Sequence, residues 1–138
     1  MERTLIILKP DCMKANLAGA VLDRFAKNEL RIVACKMMQL TEALLKDHYA
    51  HLASKPFFPE IVNFMSSTPV MVLILEGNKA IDRVRDILGP TDSTKADKGT
   101  IRGDMGQNVM LNIAHASDSL ESAQAEIQRF FKSDEVFA

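Results

Sequence analysis

The order in which two kinds of apolar pattern follow one another constrains this chain most. Thr4-Leu5-Ile6-Ile7-Leu8 is a continuous apolar run closed by Lys9-Pro10-Asp11, which predicts a buried strand ending in a turn, with Lys9 at its mouth. Leu17, Ala18, Val21, Leu22 and Phe25 then recur at helical spacing, with Arg24 and Lys27 toward the polar side. Residues 30 to 40 begin by alternating, Leu30 and Ile32 against Arg31, and predict a second strand. A third, Val70 to Leu75, precedes a helix with Ile81, Val84, Ile87 and Leu88 inward that Gly89-Pro90 terminates. Val109-Met110-Leu111-Asn112-Ile113-Ala114 predicts a fourth strand, delivering His115 into a last helix that carries Ala123, Ile127, Phe130 and Phe131. Asp118 is its expected N-cap, with Glu121 as capping-box partner. Two short helices are inserted between Thr41 and Ser67, one with Leu44, Leu45 and Tyr49, the other with Ile61, Val62, Phe64 and Met65, parted at Lys55-Pro56-Phe57-Phe58-Pro59.

Without that inserted pair the order is βαββαβ. It predicts an α+β, ferredoxin-like chain: an antiparallel four-stranded sheet with helices on its faces. A parallel doubly wound sheet is the structural alternative. The chain, 138 residues and 47% hydrophobic, is expected to form one domain over 1–138, with neither a repeat nor a linker. Residues 91 to 107 have no useful periodicity and predict a long loop, a feature that in a small domain is usually functional or disordered.

Charge and cysteine usage narrow the function classes. A net charge of −1 with no basic stretch argues against a nucleic-acid-coating protein, so any cationic site must be assembled by folding. Two cysteines without a CxxC spacing give little support to a disulfide framework or structural zinc. No secretory leader is expected ahead of Met1-Glu2-Arg3, and the apolar runs fall far short of the roughly 20 residues that span a bilayer. A soluble, cytoplasmic protein with no membrane partner is expected.

The candidate chemistry centres on His115. An unperturbed imidazole, with a pKa of about 6.5, is largely neutral near pH 7 and can act as base or nucleophile. Taken alone, a histidine at a strand end is most often a surface or core residue, so its neighbours must carry the argument. Lys9, Arg85, Thr91 and Arg102 stand where this topology could gather them into a phosphate cradle, arginine offering a planar fork and lysine a compact charge. No GxxxxGK[ST] or GxGxxG occurs, which disfavours a P-loop enzyme. Phe57 or Phe58 could be a stacking platform or a core anchor, and Tyr49 could donate its hydroxyl to a phosphate. His48 and His51, flanking Tyr49, read as residues of a polar helix face. Glu126, about two turns into the last helix, could bond one nitrogen of His115, fix its tautomer and leave the other free to attack phosphorus.

The segments Ile7-Leu8-Lys9-Pro10-Asp11, Lys55-Pro56-Phe57-Phe58, Leu88-Gly89-Pro90-Thr91, Gly99-Thr100-Ile101-Arg102-Gly103-Asp104 and Asn112-Ile113-Ala114-His115-Ala116-Ser117-Asp118-Ser119, in this order, resemble the nucleoside diphosphate kinase family over Glu2 to about Phe131. The resemblance implies a ping-pong reaction: His115 takes the γ-phosphate of a nucleoside triphosphate, typically ATP, and passes it to a nucleoside diphosphate. It implies that Lys9, Tyr49, Arg85, Thr91, Arg102 and Asn112 hold phosphates and ribose, that Phe57 stacks on the base with Val109 on its other side, and that Ser117 and Glu126 support the histidine. Mg²⁺ would arrive on the nucleotide phosphates with no protein ligand, and the chain would form a homo-oligomer, tetramer or hexamer. Three positions depart from the family: Ala116 stands where glycine is usual and would be strained if its φ were positive, Lys98 replaces a common proline, and Lys55 stands where arginine is frequent. A catalytically silent nucleotide-binding or regulatory homologue is the main functional alternative, with a phosphocarrier as another; the intact set of His115, Lys9, Arg102 and Glu126 favours the kinase.

Overall fold

The computed structural model describes residues 1–137. In chain order its elements are β1 (Glu2–Leu8), α1 (Pro10–Lys14), α2 (Ala18–Lys27), β2 (Arg31–Met38), α3 (Glu42–His48), α4 (Phe58–Met65), β3 (Val70–Gly77), α5 (Ala80–Leu88), α6 (Ile101–Met105), β4 (Ala114–Ala116) and α7 (Leu120–Phe130), with short 3-10 turns at Ala50–Leu52, Ser93–Lys95 and Ser133–Glu135. The sheet runs β2-β3-β1-β4 and every pairing is antiparallel, which is the predicted ferredoxin-like order and removes the parallel alternative. β1 is central: Ile7 faces Val72 of β3 on one side and His115 of β4 on the other.

The apolar run of β1 is continuous because both faces of the sheet are covered. Leu5 and Ile7 pack with Leu45, Met65 and Phe130, on the side of α3, α4 and α7. Ile6 and Leu8, one residue out of phase, pack with Val21, Phe25, Val84 and Leu88 of α2 and α5 and with Ile101 of α6. Antiparallel strands more often alternate with one wet face. Here the period-two signal is hidden by a helical layer on each side.

Local chemistry accounts for where the elements stop, and for four departures from the sequence reading. Lys9-Pro10-Asp11 opens the short helix α1, with Pro10 in its first turn, where its missing N–H costs nothing. The segment 91–107 is not structureless: Thr100 caps α6 by accepting from Gly103 N, Ile101 is fully buried, and Asp104 reaches back to the Gly99 N–H and to Arg24. A Cβ at Gly103 would collide with the Asp97 carbonyl, so only glycine fits that close approach. The fourth strand is shorter and later than expected, so that His115 sits within it, because the run before it is bent by side chains: Asn108 Oδ1 accepts from Met110 N and Leu111 N at 3.0 and 2.8 Å. Finally, the N-cap of α7 is Ser119, which accepts from Ser122 N, rather than Asp118, so Glu121 has no capping box to complete. At the end of α5, Gly89 has φ 88°, as predicted for a helix terminator, and a Cβ there would also meet Thr100 Oγ1 at 2.8 Å.

Candidate active site

Two bends bring β1 and β4 together at one end of the sheet. Lys9 N donates to the Ile113 carbonyl at 2.9 Å, and Ala114 N donates to the Asn112 carbonyl at 2.9 Å, closing a three-residue turn around Ile113. Ile113 has φ 77°, a conformation that costs a β-branched residue roughly 1–3 kcal/mol and persists only when the surroundings impose it. Asp11 imposes it by accepting the Ile113 N–H on Oδ2 at 3.0 Å. The turn buries Asn112 and sends His115 into register with Ile7. The condition for strain at Ala116 is not met, since it lies in β4 and the positive φ values fall elsewhere among the described residues.

A cleft of about 870 Å³ opens beside these bends. Lys9, Tyr49, Phe57, Arg85, Thr91, Arg102, Val109, Asn112, His115 and Glu126, all predicted site residues, line it. Ser117, the remaining one, is fully buried behind Glu126.

The imidazole is held by a chain of hydrogen bonds rooted in the sheet. Leu5 N donates to Ser117 Oγ at 3.1 Å, Ser117 Oγ donates to Glu126 Oε1 at 2.7 Å, and His115 Nε2 lies 2.9 Å from the same oxygen. Burial pushes the Glu126 carboxyl up, but the bonds and charge from His115 and the Ser117 hydroxyl outweigh it, so its pKa falls below the usual range. An ionised carboxylate only accepts, so the ring proton sits on Nε2 and the lone pair is left on Nδ1.

Cationic groups are arranged by backbone carbonyls rather than by acids. Lys9 Nζ donates to Met110 O at 2.6 Å and to Asn112 Oδ1 at 2.8 Å, while Asn112 Nδ2 donates to Thr91 O at 3.0 Å. Arg102, 5% exposed, donates from Nε to Asn112 O, from Nη1 to Gly89 O and from Nη2 to Ala114 O, at 3.1, 2.9 and 2.6 Å. Of its five N–H groups, two remain for a ligand. Burial lowers the Lys9 pKa to about 8, with Asp11 raising it and Arg102 lowering it further; burial, then Arg85, lowers that of Arg102 to about 10. Lys9 and Arg102 are thus charged near neutrality without a salt bridge among the described residues, which suits a polyanion that brings its own compensation.

The aromatic alternatives resolve into one role each. Phe57, N-terminal to α4, is 44% exposed on the cleft, whereas Phe58 is 5% exposed and anchors the core. Val109, 57% exposed, also borders the cleft, so a flat ring entering it has apolar surface to pack against. Tyr49 keeps its proton, since burial and then Glu126 push its pKa up to about 12.

One residue of the cleft departs from its sequence pattern. His48 is not on a polar face: it is 8% exposed, lines the cleft and stands edge-on to His115 with ring centroids 4.6 Å apart. His48, His115 and Glu126 together offer three metal-ligand atoms within 4.8 Å of one another. They do not suit Mg²⁺, which favours oxygen ligands in an octahedron. Nor does His48 offer a lone pair, because Arg129 Nη1 donates to its Nδ1 at 3.0 Å and the ring proton must then occupy Nε2.

Comparison with known proteins agrees with this geometry. The family model for nucleoside diphosphate kinase matches residues 2–136. A Parabacteroides distasonis nucleoside diphosphate kinase is 50% identical over 99% of this chain and 90% of its own length. A Rhodopirellula baltica one is 48% identical over 98% and 89%. Among solved structures, a nucleoside diphosphate kinase from Aquifex aeolicus superimposes with a TM-score of 0.93 at 46% identity, covering 98% of both chains. A halophilic one from Halobacterium salinarum, in complex with CDP, does so at 0.96 and 38%, covering 99% of this chain and 91% of that one.

Proposed function

The chain belongs to the nucleoside diphosphate kinase family, and on that premise we propose that residues 1–138 act as one kinase domain in which His115 carries the phosphoryl group between nucleotides. The activity is that of a phosphotransferase, moving the γ-phosphate of a nucleoside triphosphate to a nucleoside diphosphate. In the first half-reaction Nδ1 of His115 attacks the γ-phosphorus in line, the bond to the bridging oxygen breaks, and the diphosphate leaves with that electron pair. In the second, a different diphosphate attacks the phosphohistidine and the ring recovers its lone pair. The observation that carries this reading is the Ser117–Glu126–His115 chain, which holds the ring proton on Nε2 and leaves Nδ1 nucleophilic.

The other site residues follow from charge and shape. Lys9, Arg85 and Arg102 neutralise phosphate oxygens, with stabilisation growing as charge shifts toward the leaving oxygen. Asn112 orients Lys9, Thr91 and Tyr49 supply polar contacts to phosphate or ribose, and Phe57 with Val109 holds the base by stacking, which tolerates many bases. Mg²⁺, held by the nucleotide phosphates and water and by no protein ligand, would supply further neutralisation of the polyphosphate.

A homo-oligomer and a cytoplasmic setting belong to the same proposal. The support for assembly is β2, an edge strand with Ile32 46% and Met37 61% exposed, a surface that a second strand would pair and cover. No helix among the described residues is long and apolar enough to cross a membrane, and both cysteines are free. The test is incubation with γ-labelled ATP and Mg²⁺: acid-labile, base-stable label released by GDP is expected in the wild type and none in His115→Ala. Label of the same stability in the variant would refute the assignment.

A further inference from the structure

His48 lines the cleft but has no part in the transfer scheme. Arg129 donates from Nη1 to His48 Nδ1 at 3.0 Å and is itself held by Asp47 Oδ2, 3.0 Å from its Nε. A guanidinium has donors only, so the proton of the neutral His48 ring is on Nε2, and that atom is buried without a partner among the described residues. Unpaired buried N–H groups are uncommon, and one that borders a ligand cleft is a donor awaiting an acceptor. The ring is gripped edge-on by Tyr49 and Phe130, with centroids 4.7 and 5.2 Å away, and crosses the His115 ring at 79°. One of its nitrogens lies within 4.8 Å of a His115 nitrogen and a Glu126 oxygen.

The geometry points to His48 as a further phosphoryl ligand: its Nε2–H, which has no partner among the described residues, donates to a non-bridging oxygen of the phosphoryl group while that group rides on Nδ1 of His115. This rests on the phosphohistidine reading and adds a donor that serves the intermediate rather than the nucleotide. No proton changes hands. Burial, then the neighbouring His115, lowers the His48 pKa to about 3, and Arg129 occupies Nδ1, so the ring meets the phosphoryl group as a neutral donor. The same arrangement explains why two adjacent histidines present one nucleophile. Nδ1 of His48 is taken by Arg129 and its Nε2 is protonated, so it has no free lone pair to compete for phosphorus.

The test compares wild type with His48→Phe, which keeps an aromatic ring in the packing without a donor, and His48→Gln, whose amide N–H stands near the position of Nε2. The readouts are the equilibrium between free and phosphorylated enzyme at fixed ATP and ADP, by intact mass, and the affinity of unphosphorylated enzyme for ADP, by calorimetry. Losing one hydrogen bond to a charged acceptor is expected to lower the phosphoenzyme equilibrium constant about tenfold in His48→Phe, with ADP affinity nearly unchanged and most of the loss restored by Gln. An unchanged equilibrium, a parallel fall in ADP affinity, or Gln no better than Phe would overturn it. In wild type, where no variant need fold, the ¹H–¹⁵N resonance of His48 Nε2 must move on phosphorylation, and a stationary resonance also overturns it. A wild type that takes no label overturns the phosphohistidine reading and this proposal together, whereas a labelled wild type without His48 effects overturns this proposal alone.

Discussion

Arg102 is both brace and ligand, and Arg102→Lys separates the two. The guanidinium spans three carbonyls from separate parts of the chain: Gly89 at the end of α5, Asn112 beside the Ile113 turn and Ala114 at the start of β4. A lysine ammonium keeps the charge but places all its donors on one atom, so it can serve one of these carbonyls well. Two bonds from a charged donor are then lost at a site only 5% exposed. At roughly 1.5 kcal/mol each, the low end for charged donors since freed carbonyls can recruit water, the loss is about 3 kcal/mol. For a chain of this length a loss of 1 kcal/mol lowers Tm by roughly 3 °C, so calorimetry should show a fall of about 9 °C. The scan must be run without nucleotide, whose binding would mask the difference. A Tm within about 2 °C of wild type would refute the bracing argument, since it would require water to replace both bonds at no cost.

Arg102→Ala removes the charge as well and should lower transfer on the order of 10²-fold or more, checked as kcat/KM in a coupled assay. Ser117→Ala leaves the buried Leu5 N–H unpaired and takes one bond from Glu126, so it should cost about 1–3 kcal/mol in urea unfolding and lower kcat; a variant as stable as wild type would contradict this. Phe57→Ala should raise KM about tenfold for purine and pyrimidine nucleotides alike, and an effect confined to one base class would argue for edge recognition instead of stacking. The buried Lys9 titrates near 8 when folded against 10.5 as a free side chain. The unfolded chain therefore holds more protons between those values, and the Lys9 contribution makes unfolding free energy rise with pH across that window, while nucleotide KM should rise above about pH 8 as the charge is lost. A KM independent of pH from 7 to about 9.5 would contradict that role for Lys9.

The elements that sequence patterning captured are those decided by repeated apolar spacing. β1, β3 and α5 each present an apolar pattern long enough to fix both type and position, and Gly89 marks its helix end by chemistry only glycine supplies. What escaped was decided by single side chains, some local and some distant in sequence, and by elements too short to show a period. The run Val109 to Ile113 looks like a strand, but Asn108, Lys9 and Asp11 take its backbone groups and bend it. α6 has five residues, one of them Gly103, too few to show a period. Ser117-Asp118-Ser119 offers adjacent cap candidates of nearly equal intrinsic merit, and Ser119 is the one in use. His48 ends a seven-residue helix, where packing against Phe130 rather than helical spacing decides whether it is covered. The side chains singled out for the site, unlike the irregular segments around them, all lie on the cleft or in the Ser117–Glu126 chain behind it.

The central claim is that Glu126 holds Nε2 of His115 so that Nδ1 receives phosphorus. It is tested most directly by ¹⁵N and ³¹P spectroscopy of the protein after reaction with ATP and removal of nucleotide. One phosphorus on Nδ1 of His115, discharged by added nucleoside diphosphate, is the predicted result. Phosphorus on Nε2, or on any other side chain, would contradict the account.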